Sequence, residues 1–352
     1  MIRRGGPVWL ARPSRFVAVE RRTARWLLAA LVLALLLAAV GAYGTVAAYP
    51  TEPLHDALFA AMRHGAGFYD AWADMAHSDL ATRDAIMLPP TLAVATVALP
   101  IWVSIAAMAL TVTAILWIGA AGLSDLFARD PARWIAVVLL AIGSAGAALL
   151  WAGAPHAGWA TLLVALALLR RRPDRIVEPA ALVCIAAVID PAALWAVAVP
   201  MLLAIIDSSR REVVGWLIAG LVAAAVLAAH RHALAGLGVV AAPDLPEGSS
   251  AAARLMLAAL PGVPSWLAAP LLLLGALGWA GLSHPLGLRV VALLAVGVLA
   301  EGWFGLHPAT LAAALVAPGI ALVPDALADL VRAAADPRRF TVTRITKREV
   351  EG

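Results

Sequence analysis

The chain predicts an all-α fold, a polytopic bundle of transmembrane helices, and three observations carry that expectation. Hydrophobic residues make up 63% of the 352 residues and charged residues 14%, with a mean hydropathy of +0.91; a soluble domain holds roughly 45–50% apolar and about 25% charged residues. Several apolar runs reach the roughly 18–20 residues that a helix needs to cross about 30 Å of hydrocarbon, where only an internally hydrogen-bonded backbone is tolerated. The positive charges are also sorted. With the N-terminus inside, all but four of the 26 Lys and Arg, the exceptions being Arg63, Arg83, Arg231 and Arg254, fall in cytoplasmic segments. That asymmetry predicts an N-in, C-in, even-numbered topology.

The spacing of the runs predicts about ten membrane segments: 26–49, 101–122, 134–154, 157–170, 176–190, 191–206, 213–231, 265–282, 288–306 and 308–324. Residues 1–25 read as a basic cytoplasmic N-terminus, 26–324 as the transmembrane domain with outer loops at 50–100 and 232–264, and 325–352 as a basic cytoplasmic tail with a short amphipathic start. Arg21-Arg22 precede the first run. At ~24 residues that run is longer than the ~7–15 of an export signal, which predicts an uncleaved first helix. Tryptophans Trp26, Trp102, Trp134, Trp159, Trp266 and Trp303 fall near segment ends, as amphipathic rings do at a membrane interface. Prolines Pro100, Pro191, Pro200, Pro270 and Pro318 lie in or beside the runs, and each removes a backbone donor where a kink or break can line a cavity. The lone cysteine, Cys184, excludes a disulfide framework and a thiolate cluster. A net charge of +4 whose arginines report orientation gives no reason to expect nucleic acid.

The polar chemistry concentrates in the first outer loop. In "TEPLHDALFAAMRHG", Thr51 and Pro53 begin a helix, Glu52 sits where the helix dipole favours a negative charge, and Gly65 ends it. Leu54, Leu58, Ala61 and Met62 share one face, so the helix should lie on the membrane surface with that face down. In "FYDAWADMAHS", Asp70, Asp74 and His77 recur at i, i+4 and i+7. They form either a candidate divalent-cation face or the wet side of an amphipathic helix. "IMLPPTLAVATVALP" is too short to span and reads as an interfacial or re-entrant helix.

Elsewhere, His230, Arg231 and His232 in "AAHRHALAG" mark the outer end of the seventh segment, where Arg231 is either a phosphate ligand or a headgroup contact. Asp190, before Pro191, is either a rim turn or a contributor to a cavity, and the same choice holds for Glu301. Glu178 should pair with the arginines of "RRRPDR". His156 and His284 read as solvated turn histidines.

A basic N-terminus, one helix, an acidic outer loop of surface helices and then many short apolar helices resemble the GT-C superfamily of membrane glycosyltransferases. The resemblance covers about 20–330 in topology and 50–100 in residue pattern. It implies an enzyme of the bacterial inner membrane that takes a sugar from a polyprenyl-phosphate donor on the extracytoplasmic side and passes it to a glycan or lipid acceptor. A loop carboxylate then serves as the base, here Asp56 or Glu52. His55, Arg63, His64, Tyr69 and Asp70 would contact sugar or carrier, with Asp190, His230, Arg231 and His232 completing the substrate site. The adjacent acidic pair often found in that loop is absent, and the second outer loop is short. A transporter or flippase, and a non-catalytic subunit descended from a transferase, remain open alternatives. No phosphate-binding glycine-rich loop, CxxCH or GxSxG motif is present, which excludes a nucleotide-sugar enzyme of soluble type.

Overall fold

The computed structural model describes residues 7–44, 53–75, 88–172, 175–237, 251–301 and 306–335. Among them every regular element is helical, and β-pairing is limited to two isolated bridges, Leu10 with Phe127 and Arg172 with Arg175. Fifteen α-helices carry the description: α1 (Arg21–Gly41), α2 (Pro53–Arg63), α3 (Phe68–Met75), α4 (Thr91–Ala98), α5 (Ile101–Ser124), α6 (Asp130–Leu150), α7 (Pro155–Arg170), α8 (Val177–Ile189), α9 (Leu194–Ile206), α10 (Arg210–Gly236), α11 (Ala251–Ala259), α12 (Ser265–Gly281), α13 (Pro285–Leu299), α14 (Ala313–Val316) and α15 (Val323–Ala335). Short 3-10 turns at Arg15–Ala18, Pro191–Ala193, Pro308–Ala312 and Ala317–Leu322 join them.

Five helical stretches are long and apolar enough to cross a membrane: α1, α5, α6, α10 and the continuous run Pro308–Ala335. The remaining expected segments are shorter. Helices α7, α8, α9, α12 and α13 have 13 to 17 residues, which at 1.5 Å per residue rise only roughly 20–26 Å. The first segment is displaced relative to expectation, starting at Arg21 and closing at Gly41. In the expected segment 288–306, α13 ends at Leu299.

Local chemistry sets the boundaries. Proline occupies the first turn of α6, α7 and α13, where its missing N–H costs nothing. Pro100 separates α4 from α5. Between α8 and α9 the Asp190 carboxylate accepts the Ala192 N–H at 2.9 Å, capping the turn that begins at Pro191.

The run 308–322 forms the centre. Nearly all of its residues are buried, whereas only 6% of the α1 window and 11% of the α5 window are, so α1 and α5 present their apolar surfaces outward. Of its 15 residues, 11 are in 3-10 turns; at ~2.0 Å per 3-10 residue the run is as long as an α-helix of roughly 19 residues. Glycines let neighbouring backbones reach it. A Cβ on Gly278 would lie 2.0 Å from the Gly319 carbonyl oxygen, one on Gly319 2.1 Å from that of Gly275, and one on Gly143 2.8 Å from that of Ala314. Trp279 Nε1–H donates to the Leu315 carbonyl at 2.6 Å, supplying a donor to a carbonyl in the last turn of α14, where the run passes into the Ala317–Leu322 turn.

The opposite end of the bundle from α2 and α3 is closed by the N-terminal segment. Val8, Trp9 and Leu10 donate their N–H groups to the Asp325 carboxylate, and the Ser14 N–H donates to Asp329 at 2.9 Å. Both acids are buried in α15. Helix α15 is amphipathic, and its acidic residues Asp325 and Asp329 face the N-terminal strap rather than water, with the strap's backbone N–H groups, and Arg332 for Asp329, offsetting the desolvation of the buried carboxylates.

At the same end Arg289, 2% exposed, donates to Asp207 and Glu212, and Glu212 also contacts Arg171. Glu178 pairs with Arg170, as its position predicted. His284 sits at the rim of this group and caps α13 by accepting the Leu286 N–H at Nδ1. Partial desolvation, then the charges of Arg171 and Arg289, hold its pKa below the ordinary value. An imidazolium cannot accept that N–H. With the folded pKa depressed, the unfolded chain binds the proton first. The cap's contribution is whole above the ordinary value of 6.5 and is lost as pH falls through it toward the folded value.

Two outcomes follow for the purified protein in detergent. Gly278→Val should lose about 1–3 kcal/mol from forced overpacking, read as a lower thermal transition, while Gly122→Val, with nothing within 4 Å of its added Cβ, should not. Between about pH 7.5 and about pH 5.5, the transition of the natural chain should fall more steeply than that of His284→Asn, which caps without titrating.

Candidate functional site

The α2–α3 hairpin is fastened to the bundle by its apolar face. Helix α2 closes at Gly65, which takes a φ of +98°, a left-handed conformation that costs glycine little. Leu54 and Leu58 are buried with Phe59, Phe68, Trp72, Ala93 of α4 and Leu234 of α10, and Ala61 and Met62 pack against that group. The expected apolar face exists, but it covers protein, α4 and the end of α10, rather than a lipid surface. The physical reason is that two buried aromatics, Phe68 and Trp72, give it a larger dry surface to match.

That docking sorts the sequence-predicted residues. His55 is completely buried, and its ring meets the buried His156 edge-on at a centroid distance of 4.7 Å. Asp190, 8% exposed, lies within electrostatic reach of His156. The three come from α2, the start of α7 and the end of α8. Tyr69 and His230 form a second pair: the phenol oxygen is 3.1 Å from His230 Nδ1, and Phe68 stacks edge-on to Tyr69. Burial raises the Tyr69 pKa, so the phenol keeps its proton.

Asp56, Arg63, His64, Asp70, Asp74, Arg231 and His232 are exposed. Glu52 and His77 lie outside the described residues. Among the described residues no three His, Cys, Asp or Glu side chains group as a metal would require. Asp70 and Asp74 share the exposed side of α3, with Asp70 turned back against Gly67.

Sequence reasoning missed a second polar group at the same end. Arg254 of α11, 7% exposed at its side chain, donates through Nη2 to Glu301 Oε1 at 2.9 Å and is in hydrogen-bond contact with His307 Nδ1. His307 Nδ1 is 2.9 Å from the same Glu301 oxygen, and Glu301 Oε2 accepts the Ala309 N–H at 3.2 Å. The Pro308–Ala312 turn joins both groups, packing against α7, α11, α13 and the Pro191–Ala193 turn, with the Thr161 hydroxyl of α7 donating to the Thr310 carbonyl. The available signal for Arg254 was a single charge inside "AAARLMLAAL", since a charge on an apolar helix demands a partner. His156 carried no such signal.

An apolar cavity of 340 Å³ lies between α4 and α8, lined by Thr91, Leu92 and Ala95 on one side and Cys184, Ile185, Val188 and Ile189 on the other. Its lining residue Ile189 directly precedes the buried Asp190 in the chain.

Removing one partner of the Arg254–Glu301 pair leaves a buried charge. Arg254→Met should cost about 3–5 kcal/mol, seen in thermal unfolding, and adding Glu301→Gln to it should restore part of the loss. No family model, curated protein or solved structure matches this chain.

Proposed function

We propose that the chain is an integral membrane transferase acting on a lipid-linked substrate, and in particular a membrane glycosyltransferase that uses a polyprenyl-phosphate sugar. In this reading the shorter apolar helices cross the membrane together with the five long stretches, giving ten passes. The α2–α3 end then faces the extracytoplasmic side of a bacterial inner membrane. The observations that carry the proposal are the apolar cavity between α4 and α8, lined as far as Ile189, and the buried carboxylate of the next residue, Asp190, within electrostatic reach of His156. A hydrocarbon chain in that cavity would bring its polar head to these groups, with the apolar walls supplying binding and a few polar groups fixing orientation.

The chemistry asks for little. Displacement at the sugar carbon forms a bond to the acceptor oxygen, breaks the bond to the carrier phosphate and leaves that electron pair on the phosphate. The acceptor proton needs a base. We assign it to Asp190 rather than Asp56, because Asp56 stands on the exposed side of α2 whereas Asp190 is buried and directly follows Ile189 of the cavity wall; a base is most effective within hydrogen-bond reach of the proton it takes. Tyr69 and His230, joined across α3 and α10, would then contact the sugar or its acceptor.

Transfer of labelled sugar from a polyprenyl-phosphate donor, measured in membranes, tests this reading. Asp190→Asn, whose amide oxygen can still cap Ala192, should lose about 10²–10⁴ in rate, while Asp56→Asn should change little. Full activity in Asp190→Asn would sink the assignment. Movement of the lipid-linked sugar across the membrane without transfer would replace the enzyme with a flippase.

A further inference from the structure

The end of the bundle opposite α2 and α3 carries arginines that the chemistry above does not use. Helix α1 meets α15 there through small residues: Ala24 is fully buried with Leu330 and Ala334, and Phe16, Val19 and Leu28 pack around them. Arg21 and Arg25 stand four residues apart, on one face of α1, and the close contact sets them over the last turn of α15. Both guanidiniums donate through Nε to one acceptor, the Ala334 carbonyl, at 3.3 Å and 3.2 Å. A carbonyl in the last turn of a helix lacks an intrahelical donor, and one arginine would supply it. Two bring like charges side by side. These hydrogen bonds take Nε alone, and both residues stay exposed. Of the described acids close by, Asp325 and Asp329 are taken up by the strap's N–H groups, Asp329 also by Arg332. Glu20 is exposed at the start of α1, against Arg21, Arg22 and Arg25.

The surroundings say which anion suits the pair. Trp26, next to Arg25, is 68% exposed, the setting of a ring at a membrane interface. Further along α1, Leu33, Leu36 and Leu37 turn outward. A phosphate on Arg21 and Arg25 therefore lies at headgroup depth, with an apolar helix surface beside it for acyl chains. We propose that Arg21 and Arg25 clamp the headgroup of an anionic phospholipid between the start of α1 and the end of α15. Guanidinium forks match phosphate oxygens, and an anion held between two like charges offsets their repulsion. A zwitterionic headgroup is disfavoured because it brings its own ammonium to the arginines. The lipid also has a structural consequence: α1 is the least buried of the five long stretches, and a headgroup bound at its start and at the end of α15 adds a fastening that protein contacts supply sparingly.

The clamp is independent of the transferase reading, since its test measures lipid binding alone. The full chain in neutral dodecyl maltoside micelles is titrated with a fluorescent phosphatidylglycerol, and unlabelled lipids compete. Phosphatidylglycerol should displace the probe and phosphatidylcholine should not. At about fivefold in affinity per arginine near a membrane surface, Arg21→Gln combined with Arg25→Gln should weaken binding about 30-fold, and the glutamine amides can still donate to the Ala334 carbonyl. Arg12→Gln combined with Arg15→Gln removes the same charge from exposed positions at the same end and should leave the affinity nearly unchanged. No binding of the probe, equal competition by the two lipids, unchanged affinity in the Arg21 and Arg25 variant, or an equal loss in the Arg12 and Arg15 variant would each overturn the proposal. If the double variant does not fold, either single exchange should cost about fivefold, and unchanged affinity in both overturns it. Displacement of the probe by inorganic phosphate at matched ionic strength would assign the pair to free phosphate, and the lipid clamp would fall.

Discussion

The close approach of backbones around 308–322 is the constraint on which the rest of this structure depends. Lipid tails are as apolar as leucine, so helices in a membrane gain little from burying large side chains and associate through van der Waals contact at small residues. Here the contact is so close that carbonyl oxygens of the central run sit where a Cβ of Gly278 or Gly143 would be. The run in turn is stretched by its 3-10 turns, which lengthens it without adding residues. Its weaker internal hydrogen bonding is supplemented from outside, most directly by Trp279.

The polar end is positioned by the same run. The Pro308–Ala312 turn is its first part, and against it pack α7 with His156 and Thr161, the turn after Asp190, and α11 with Arg254. Polar side chains from elements far apart in sequence are thereby gathered at one end, where His156 meets His55 of the α2–α3 hairpin while Asp56 stays exposed. The acidic strap at the other end performs the complementary task. By taking backbone N–H groups of the N-terminal segment, Asp325 and Asp329 tie α15 to the strap that also meets the turn between α5 and α6.

Much of the fold was legible because helix signals are local. Gly65 as a stop, the short helix before Pro100, and the Arg170–Glu178 pair all depend on residues near one another in the chain. The site was legible only in part. Asp190, His55, Tyr69 and His230 were named from sequence and are buried or partnered, but Asp56 and His55 are adjacent, and composition alone does not say which of two neighbours a helix turns inward. His156 acquires its meaning from His55, 101 positions away, and Arg254 from Glu301 and His307, 47 and 53 positions away, and no local pattern identifies those partners.

By itself the sequence determined that this is a helical membrane protein with a charged face at each end, because hydropathy, run length and arginine placement act residue by residue against the solvent. Tertiary structure alone decided which polar groups meet. The meeting requires α7, α11, α13 and the Pro191–Ala193 turn to converge on one turn, and that convergence is set by glycine-mediated packing around a central run that hydropathy cannot distinguish from any other apolar segment.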